Sequence, residues 1–401
     1  MKFSEIEEVI DSYIDEIINF RRDLHEHPEL GGSEDRTPRQ VIKELKKLPL
    51  DIKENVGENG IVANLFGNEE IKNKKTILIR GDMDALPIQE ENKLPFISKN
   101  KGIMHACGHD MHTSMVLGTA MVLSKFKEKL NGNVKFMFQP AEECSPTGGS
   151  RQMIADGLLI NPTVDEAYAL HVYNKPVGSI LFRPGVANAR SDAIEIHIKG
   201  KSSHGSMPSQ GRDAIVAGAN VIMAIQTIVS RNLESGEPAV VTIGKMEGGS
   251  RYNVIADYAL FKGTVRVFSD NSAKIVKERL EKIIEDICSA YGCEGKLVYK
   301  NGYDFIYNDL ELSKEVIKSL TPLLGKDNIE IQRNPSPGGE DFSFITKKVP
   351  SVFMWIGTES DMNRGNCIIH NPNFIADEAT LKYGIKVFTK IILDRFENLE
   401  D

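Results

Sequence analysis

The nine residues Met104-His105-Ala106-Cys107-Gly108-His109-Asp110-Met111-His112 crowd three imidazoles and a thiol just ahead of a helical pattern. A thiolate and an imidazole two residues apart on a loop can grip one transition metal from the same side. Alone, Cys107 and His109 read equally well as a buried thiol beside a core histidine. The added crowding by His105 and His112 favours ligation, with those two orienting the ligands rather than binding metal themselves. Downstream, Pro140-Ala141-Glu142-Glu143 closes an apolar strand pattern. A solvated helix start is the ordinary setting for adjacent glutamates, but the apolar strand and rigid Pro140 argue against it here. One carboxylate can bind metal while the other moves a proton between an attacking water and a leaving amine. That is the chemistry of a metal-assisted hydrolase.

Weaker candidates gain interest from this company. His171 follows the apolar run Ala167-Tyr168-Ala169-Leu170, and His370 sits in Cys367-Ile368-Ile369-His370-Asn371-Pro372. Asp82 and Asp84, two residues apart, point the same way along an extended loop, although a loop aspartate is usually a turn residue. His204 reads by itself as an exposed loop histidine, far along the chain from the other candidates. His197 falls on the polar side of an alternating strand, and His25 and His27 at a helix end before Pro28 are a weak metal signal.

The surrounding elements explain how such residues could meet. Residues 4–26 form an amphipathic helical pattern, 75–80 an apolar strand, and Asp110 stands where it could cap the helix that follows. Strands 133–139 and 166–170 feed the Glu142 loop and His171. This alternation predicts a mixed, largely parallel α/β sheet with helices on both faces, its ligands gathered beyond the carboxyl ends of the strands. From about Asp192 the pattern becomes strand, helix, strand, strand, helix, strand, the order of a βαββαβ ferredoxin-like unit. The expected organisation is one domain from 1–188 and 303–401, with a second, 189–302, inserted into it.

Bulk properties restrict the function class. The chain has 401 residues, 41% hydrophobic and 26% charged, with a net charge of −8 and a pI near 5.7. Without a basic excess there is little to neutralise phosphates, so nucleic-acid and anionic-membrane partners are not expected. Five cysteines do not resemble a disulfide framework. The acidic start lacks a secretory pattern, and no apolar run approaches the roughly 20 residues of a bilayer span. A cytoplasmic protein is expected.

The motifs together resemble the M20 metallopeptidase family, in particular its amidohydrolase branch of aminoacylases, hippurate hydrolases and N-acetyl-diaminopimelate deacetylases. The matching landmarks are LHEHPELG (24–31), RGDMDALPI (80–88), MHACGHDMH (104–112), QPAEE (139–143), ALHV (169–172), KGKSSHGSMPSQGRDAI (199–215), GGSRYNVIAD (248–257), GGEDFSF (338–344) and HNPNF (370–374). The resemblance implies two divalent ions (zinc, manganese, nickel or cobalt) held by Cys107, His109, Glu143, His171 and His370. It also implies Glu142 as general base, Asp84 as the aspartate that orients a ligand, and the inserted domain as lid and dimerisation domain. His204 would then stabilise an oxyanion, commonly in the partner subunit's site, and Asn253 would help bind substrate.

Two departures, Ala256 in place of a usual proline and Cys144-Ser145-Pro146-Thr147 in place of a glycine-rich stretch, leave the ligand set intact but bear on substrate choice. Arg251 and Arg190 are candidates for gripping a substrate carboxylate. The expected substrate is a small N-acyl amino acid or peptide-like amide, and the expected assembly a homodimer or higher homo-oligomer. Dipeptidase or carboxypeptidase activity is the nearer alternative, and a catalytically silent binding protein the more distant one. The richness in His and Cys also brings a zinc deaminase to mind, but the His-x-Glu…Pro-Cys-x-x-Cys arrangement is missing.

Overall fold

The computed structural model of the protein describes residues 1–399. The chain divides into two compact units. The first contains Met1–Ala187, Ile306–Asn334 and the chain from Asp341 onward; the second contains Asn188–Phe305 and Pro335–Glu340.

The first unit is built on an eight-stranded sheet. Its strand order is Asp51–Val56, Gly60–Leu65, Asn133–Gln139, Thr76–Asp82, Glu166–Pro176, Ser351–Glu359, Ile180–Phe182 and Ile329–Ile331. The four central strands run parallel. They are almost wholly buried, as strands covered on both faces must be, with apolar residues at their middles. Alternation sorts their side chains: Ile77, Ile79, Phe136, Phe138, Tyr168 and Leu170 enter one core, while Leu78, Met137, Ala167, Ala169 and Phe353 enter the other. The helices Phe3–Glu26, His109–Ser124 and Ala379–Arg395 supply most of the first core. The short helices Ser150–Ala155 and Ser343–Thr346 contribute to the second. The parallel centre agrees with the strand–helix alternation; the antiparallel flanks carry no such signal.

Two local expectations are corrected. Asp110 does not cap the helix His109–Ser124: Gly108 occupies the N-cap position at φ +79, and Asp110 spends its carboxylate elsewhere. A side chain at Gly108 would be doubly excluded, by that φ and because a Cβ would lie 2.4 Å from Val172 Cγ2. The strand carrying His171 does not end there but continues to Pro176. His171 pairs in register with Trp355, past the last pairing of this strand with Thr76–Asp82 at Ala169. Its position is thus just beyond the carboxyl edge of the neighbouring strand.

The second unit contains a four-stranded antiparallel sheet in the order Glu294–Tyr303, Arg190–Lys199, Tyr258–Val267, Ala239–Gly248. The helices Ala214–Arg231 and Asp270–Ala290 interleave with these strands in the chain. Asp213 caps the first of them by accepting the Ile215 and Val216 N–H groups. That helix buries Ala217, Val221, Ile225 and Ile228 at helical spacing and leaves Ile215, Val216 and Met223 exposed. By length and composition it is the one helix among the described residues apolar enough to cross a membrane. Its buried stripe packs within this unit's own core.

Candidate metal centre

Four segments converge beyond the carboxyl ends of the central strands of the first unit. Thr76–Asp82 leads into Asp84, Asn133–Gln139 leads into Glu142 and Glu143, the helix starting at His109 follows Cys107, and Glu166–Pro176 carries His171. The loop bearing His370 joins them because its backbone N–H donates to Ala106 O at 2.7 Å. His370 itself sits at φ +60. Such a conformation is uncommon outside glycine and is often found where function fixes a residue.

Cys107 lies at the meeting point. Its Sγ is 3.4 Å from His171 Nε2 and 3.3 Å from His370 Nε2. Two donor sets share this sulfur: Cys107, His109 and His171 in one, Cys107, Glu143 and His370 in the other. His370 Nε2 is 3.1 Å from Glu143 Oε1. Glu142 lines the same space with His109 and Glu143 and is 7% exposed. All five residues implied as ligands, and Glu142, are therefore brought together.

His109 and His171 each offer one nitrogen to the cluster and anchor the other. His109 Nδ1 is 3.1 Å from Asp84 Oδ1, while its buried Nε2 has no hydrogen-bond partner. His171 donates Nδ1–H to Val172 O at 2.8 Å, which leaves the Nε2 lone pair facing Cys107. Burial, followed by the neighbouring His112, holds the His171 pKa well below the usual range, so this ring is neutral. A buried, unpartnered ring nitrogen beside a carboxylate-held one is the arrangement of a metal-ligating histidine.

The charge balance points the same way. Burial disfavours an imidazolium at His109, but Asp82, Asp84 and Glu143 outweigh it and raise its pKa to about 10. Burial, then Glu143, Glu142 and Asp82, push the Cys107 thiol well above its usual range. A site this rich in carboxylate stabilises added positive charge, and a cation is what would make the thiolate accessible. The donor set therefore fits divalent metal, with thiolate and imidazole suited to zinc, cobalt or nickel.

His112 and His105 divide. His112 Nδ1 lies 2.6 Å from Asp82 Oδ1 and its Nε2 accepts the Val172 N–H at 2.8 Å. Both nitrogens are occupied, so His112 orients the chain next to His171, as its placement in the motif suggests. Arg80 Nη1 in turn stands 2.7 Å from Asp82 Oδ2, and Arg80 and Gln139 both reach Asp341. His105 does not orient a ligand through a hydrogen bond, since neither of its buried ring nitrogens makes one.

Two residues of importance are not identified by their local sequence. His25 is buried, 2.8 Å from Asp110 Oδ2 and 3.2 Å from Glu90 Oε1, with Arg21 Nε 2.7 Å from the same Asp110 oxygen. This network docks the first helix under the Cys107–His109 loop. Glu34 is the other, and its carboxylate accepts the Ala141 N–H at 2.6 Å.

In the second unit, His204 bridges to Val254 and Gly205 N–H donates to Asn253 O at 2.8 Å. His204, Arg251 and Asn253 thereby share one exposed pair of loops. Arg190 is not available as a substrate clamp, being committed to Asp192 at 2.8 Å and Asn301 at 2.8 Å.

A thiol, three imidazoles and paired carboxylates gathered beyond the carboxyl ends of parallel strands define a metal-dependent hydrolase. The model of Peptidase family M20/M25/M40 matches residues 78–394, and the chain belongs to that family. It is 36% identical to an N-acetylcysteine deacetylase of Bacillus subtilis over 96% of this chain and 98% of that one. It is also 36% identical to thermostable carboxypeptidase 2 of Saccharolobus solfataricus, covering 92% and 93%. A solved Bacillus subtilis structure, described as a dinuclear metal binding peptidase from the M20 family, superposes with TM-score 0.83 at 34% identity, covering 97% of this chain and 100% of that one.

Proposed function

We propose that this protein hydrolyses the amide bond of N-acyl amino acids, releasing a carboxylic acid and the free amine. The observation that carries the reading is the sharing of Cys107 Sγ between two donor sets, with Glu142 lining the same space. Cys107, His109, Glu143, His171 and His370 would hold two divalent ions. When bound, these supply Lewis acidity to the scissile carbonyl and to the attacking water.

The remaining work falls to the chain's own groups. Glu142 takes the proton of the attacking water and returns it to the departing nitrogen. Asp84 fixes the His109 tautomer through Nδ1. His204, whose Nδ1 is engaged by Ser206 Oγ at 2.8 Å, would use Nε2 as the oxyanion donor. Asn253 and Arg251, on the adjoining loop, would contact substrate.

Residues 1–188 and 303–401 would form the catalytic domain, apart from Pro335–Glu340, which group with the second unit, and 189–302 the ferredoxin-like lid through which copies of the chain pair. The apolar outer face of Ala214–Arg231 and the edge strand Ala239–Gly248, which exposes Val240 and Met246, support pairing with a second copy. Five free thiols suit the cytoplasm.

The test is a hydrolysis screen on metal-stripped protein given back zinc, manganese, cobalt or nickel. N-acetyl amino acids should be cleaved in preference to dipeptides. Cleavage of dipeptides alone would transfer the reading to a peptidase.

A further inference from the structure

We propose that Glu34 is a positioning residue for the general base: its carboxylate holds the Ala141 turn from which Glu142 projects. The inference rests on Glu142 being that base.

The turn needs holding. The strand Asn133–Gln139 ends at Pro140, and Ala141 follows at φ +56, a region in which a residue with a Cβ rarely settles unaided. The turn closes with Cys144 N–H donating to Ala141 O at 3.3 Å. Glu142 is flanked by two backbone N–H groups, and each is taken by a carboxylate that is itself buried. Glu34 Oε1 accepts the Ala141 N–H at 2.6 Å, and Asp84 Oδ2 accepts the Glu143 N–H at 2.8 Å. The two carboxylates are braced together, because Leu30 bridges Ala85 and Ala85 N–H donates to Glu29 O at 2.7 Å.

The segment bearing Glu34 is shaped to this turn. A Cβ on Gly31 would stand 2.5 Å from Cys144 Sγ, 3.0 Å from Asp84 Oδ2 and 3.2 Å from Ala141 Cα. A side chain there would have to turn Cys144 away and press on Asp84 and the Ala141 backbone.

A purely structural duty for Glu34 is already filled by another residue. The nearby helix Arg36–Leu45 has its first N–H groups served by Glu29, which accepts from Asp35, Arg36 and Thr37 at 3.0, 2.8 and 2.7 Å. Glu34 is instead fully buried, where a carboxylate is costly. Burial, then the charge of Asp84, lift its carboxyl to about 7 against the backbone N–H groups that favour the anion. The carboxylate also meets the N–H groups of Gly32 and of Glu34 itself, but its 2.6 Å hydrogen bond goes to the residue before the base, so it serves the site as well as its own loop.

The experiment compares E34A, E34Q and G31A with wild-type and E142Q protein, each reconstituted with zinc, reading kcat, KM and metal content. E34A should lose on the order of tenfold to a hundredfold in kcat, with KM within about twofold and two metals retained. E34Q, which keeps a carbonyl acceptor for the Ala141 N–H, should stay within about threefold of wild-type. Should E34A fail to fold, G31A decides: it should lower kcat with metal retained, and unchanged kcat overturns the proposal. A kcat within twofold of wild-type for folded E34A, or a loss in E34Q as deep as in E34A, overturns it as well. Ordinary turnover by E142Q would instead remove the reading of Glu142 as base, a result the Glu34 arms cannot produce.

Discussion

Asp84 ties His109 to Glu143: one carboxylate oxygen lies 3.1 Å from His109 Nδ1 and the other accepts the Glu143 N–H at 2.8 Å. A single buried side chain thus sets the tautomer of one proposed ligand and the backbone of another. Asparagine has only one acceptor oxygen and cannot serve both. D84N should lose about 10–100-fold in activity or metal affinity, read by titrating metal into the stripped variant and by kcat. Affinity and kcat both equal to wild-type would remove this role.

In the proposed mechanism Glu142 contributes a proton path rather than a metal bond. E142Q should therefore depress kcat by about 10²–10⁴-fold while metal content, read by elemental analysis, stays at the wild-type value. Ordinary activity, or loss of metal in step with activity, would contradict the assignment.

His112 acts at one remove. It bridges Asp82 and the Val172 N–H, and its deletion takes a partner from Asp82 and leaves the Val172 N–H unsatisfied next to His171. H112A should weaken metal binding by about 10–100-fold and lower the melting temperature of the stripped protein. A variant indistinguishable in both measurements would show that the bridge is dispensable.

Away from the site, Glu166 offers a stability test by pH. Burial opposes its ionisation, but hydrogen bonds from Arg395 and Lys75 prevail and lower its pKa. A depressed carboxylate stabilises the fold above its unfolded pKa of about 4.3, and that stability disappears as pH falls through the lower folded value. E166Q should cost about 2 kcal/mol at neutral pH and flatten the decline of stability between about pH 5 and 3. Denaturant melts of the stripped proteins across that range would show it; parallel curves for variant and wild-type would refute it.

What the sequence revealed, and what it hid, follows from distance along the chain. Cys107 and His109 announce themselves because a metal motif needs several donors within a few residues. Glu142 and Glu143 stand out because two carboxylates rarely end an apolar strand. The parallel centre was legible because strand signals alternate with helix signals along the first part of the chain. His25 was not, since its partner Asp110 lies 85 positions away and nothing local distinguishes a buried histidine from a solvated one at a helix end. Glu34 was hidden for the same reason, its partner being a backbone N–H 107 positions away. Asp110 misled because an acid in a first helical turn looks like a cap, whereas Gly108 took that position with a backbone angle no composition argument supplies.

The most direct test of the shared sulfur is metal stoichiometry by calorimetric titration of the stripped wild-type and C107A proteins with zinc. Wild-type should bind two ions per chain, and C107A should weaken both sites together, because each donor set loses the same atom. Two ions held by C107A with wild-type affinity would contradict the account.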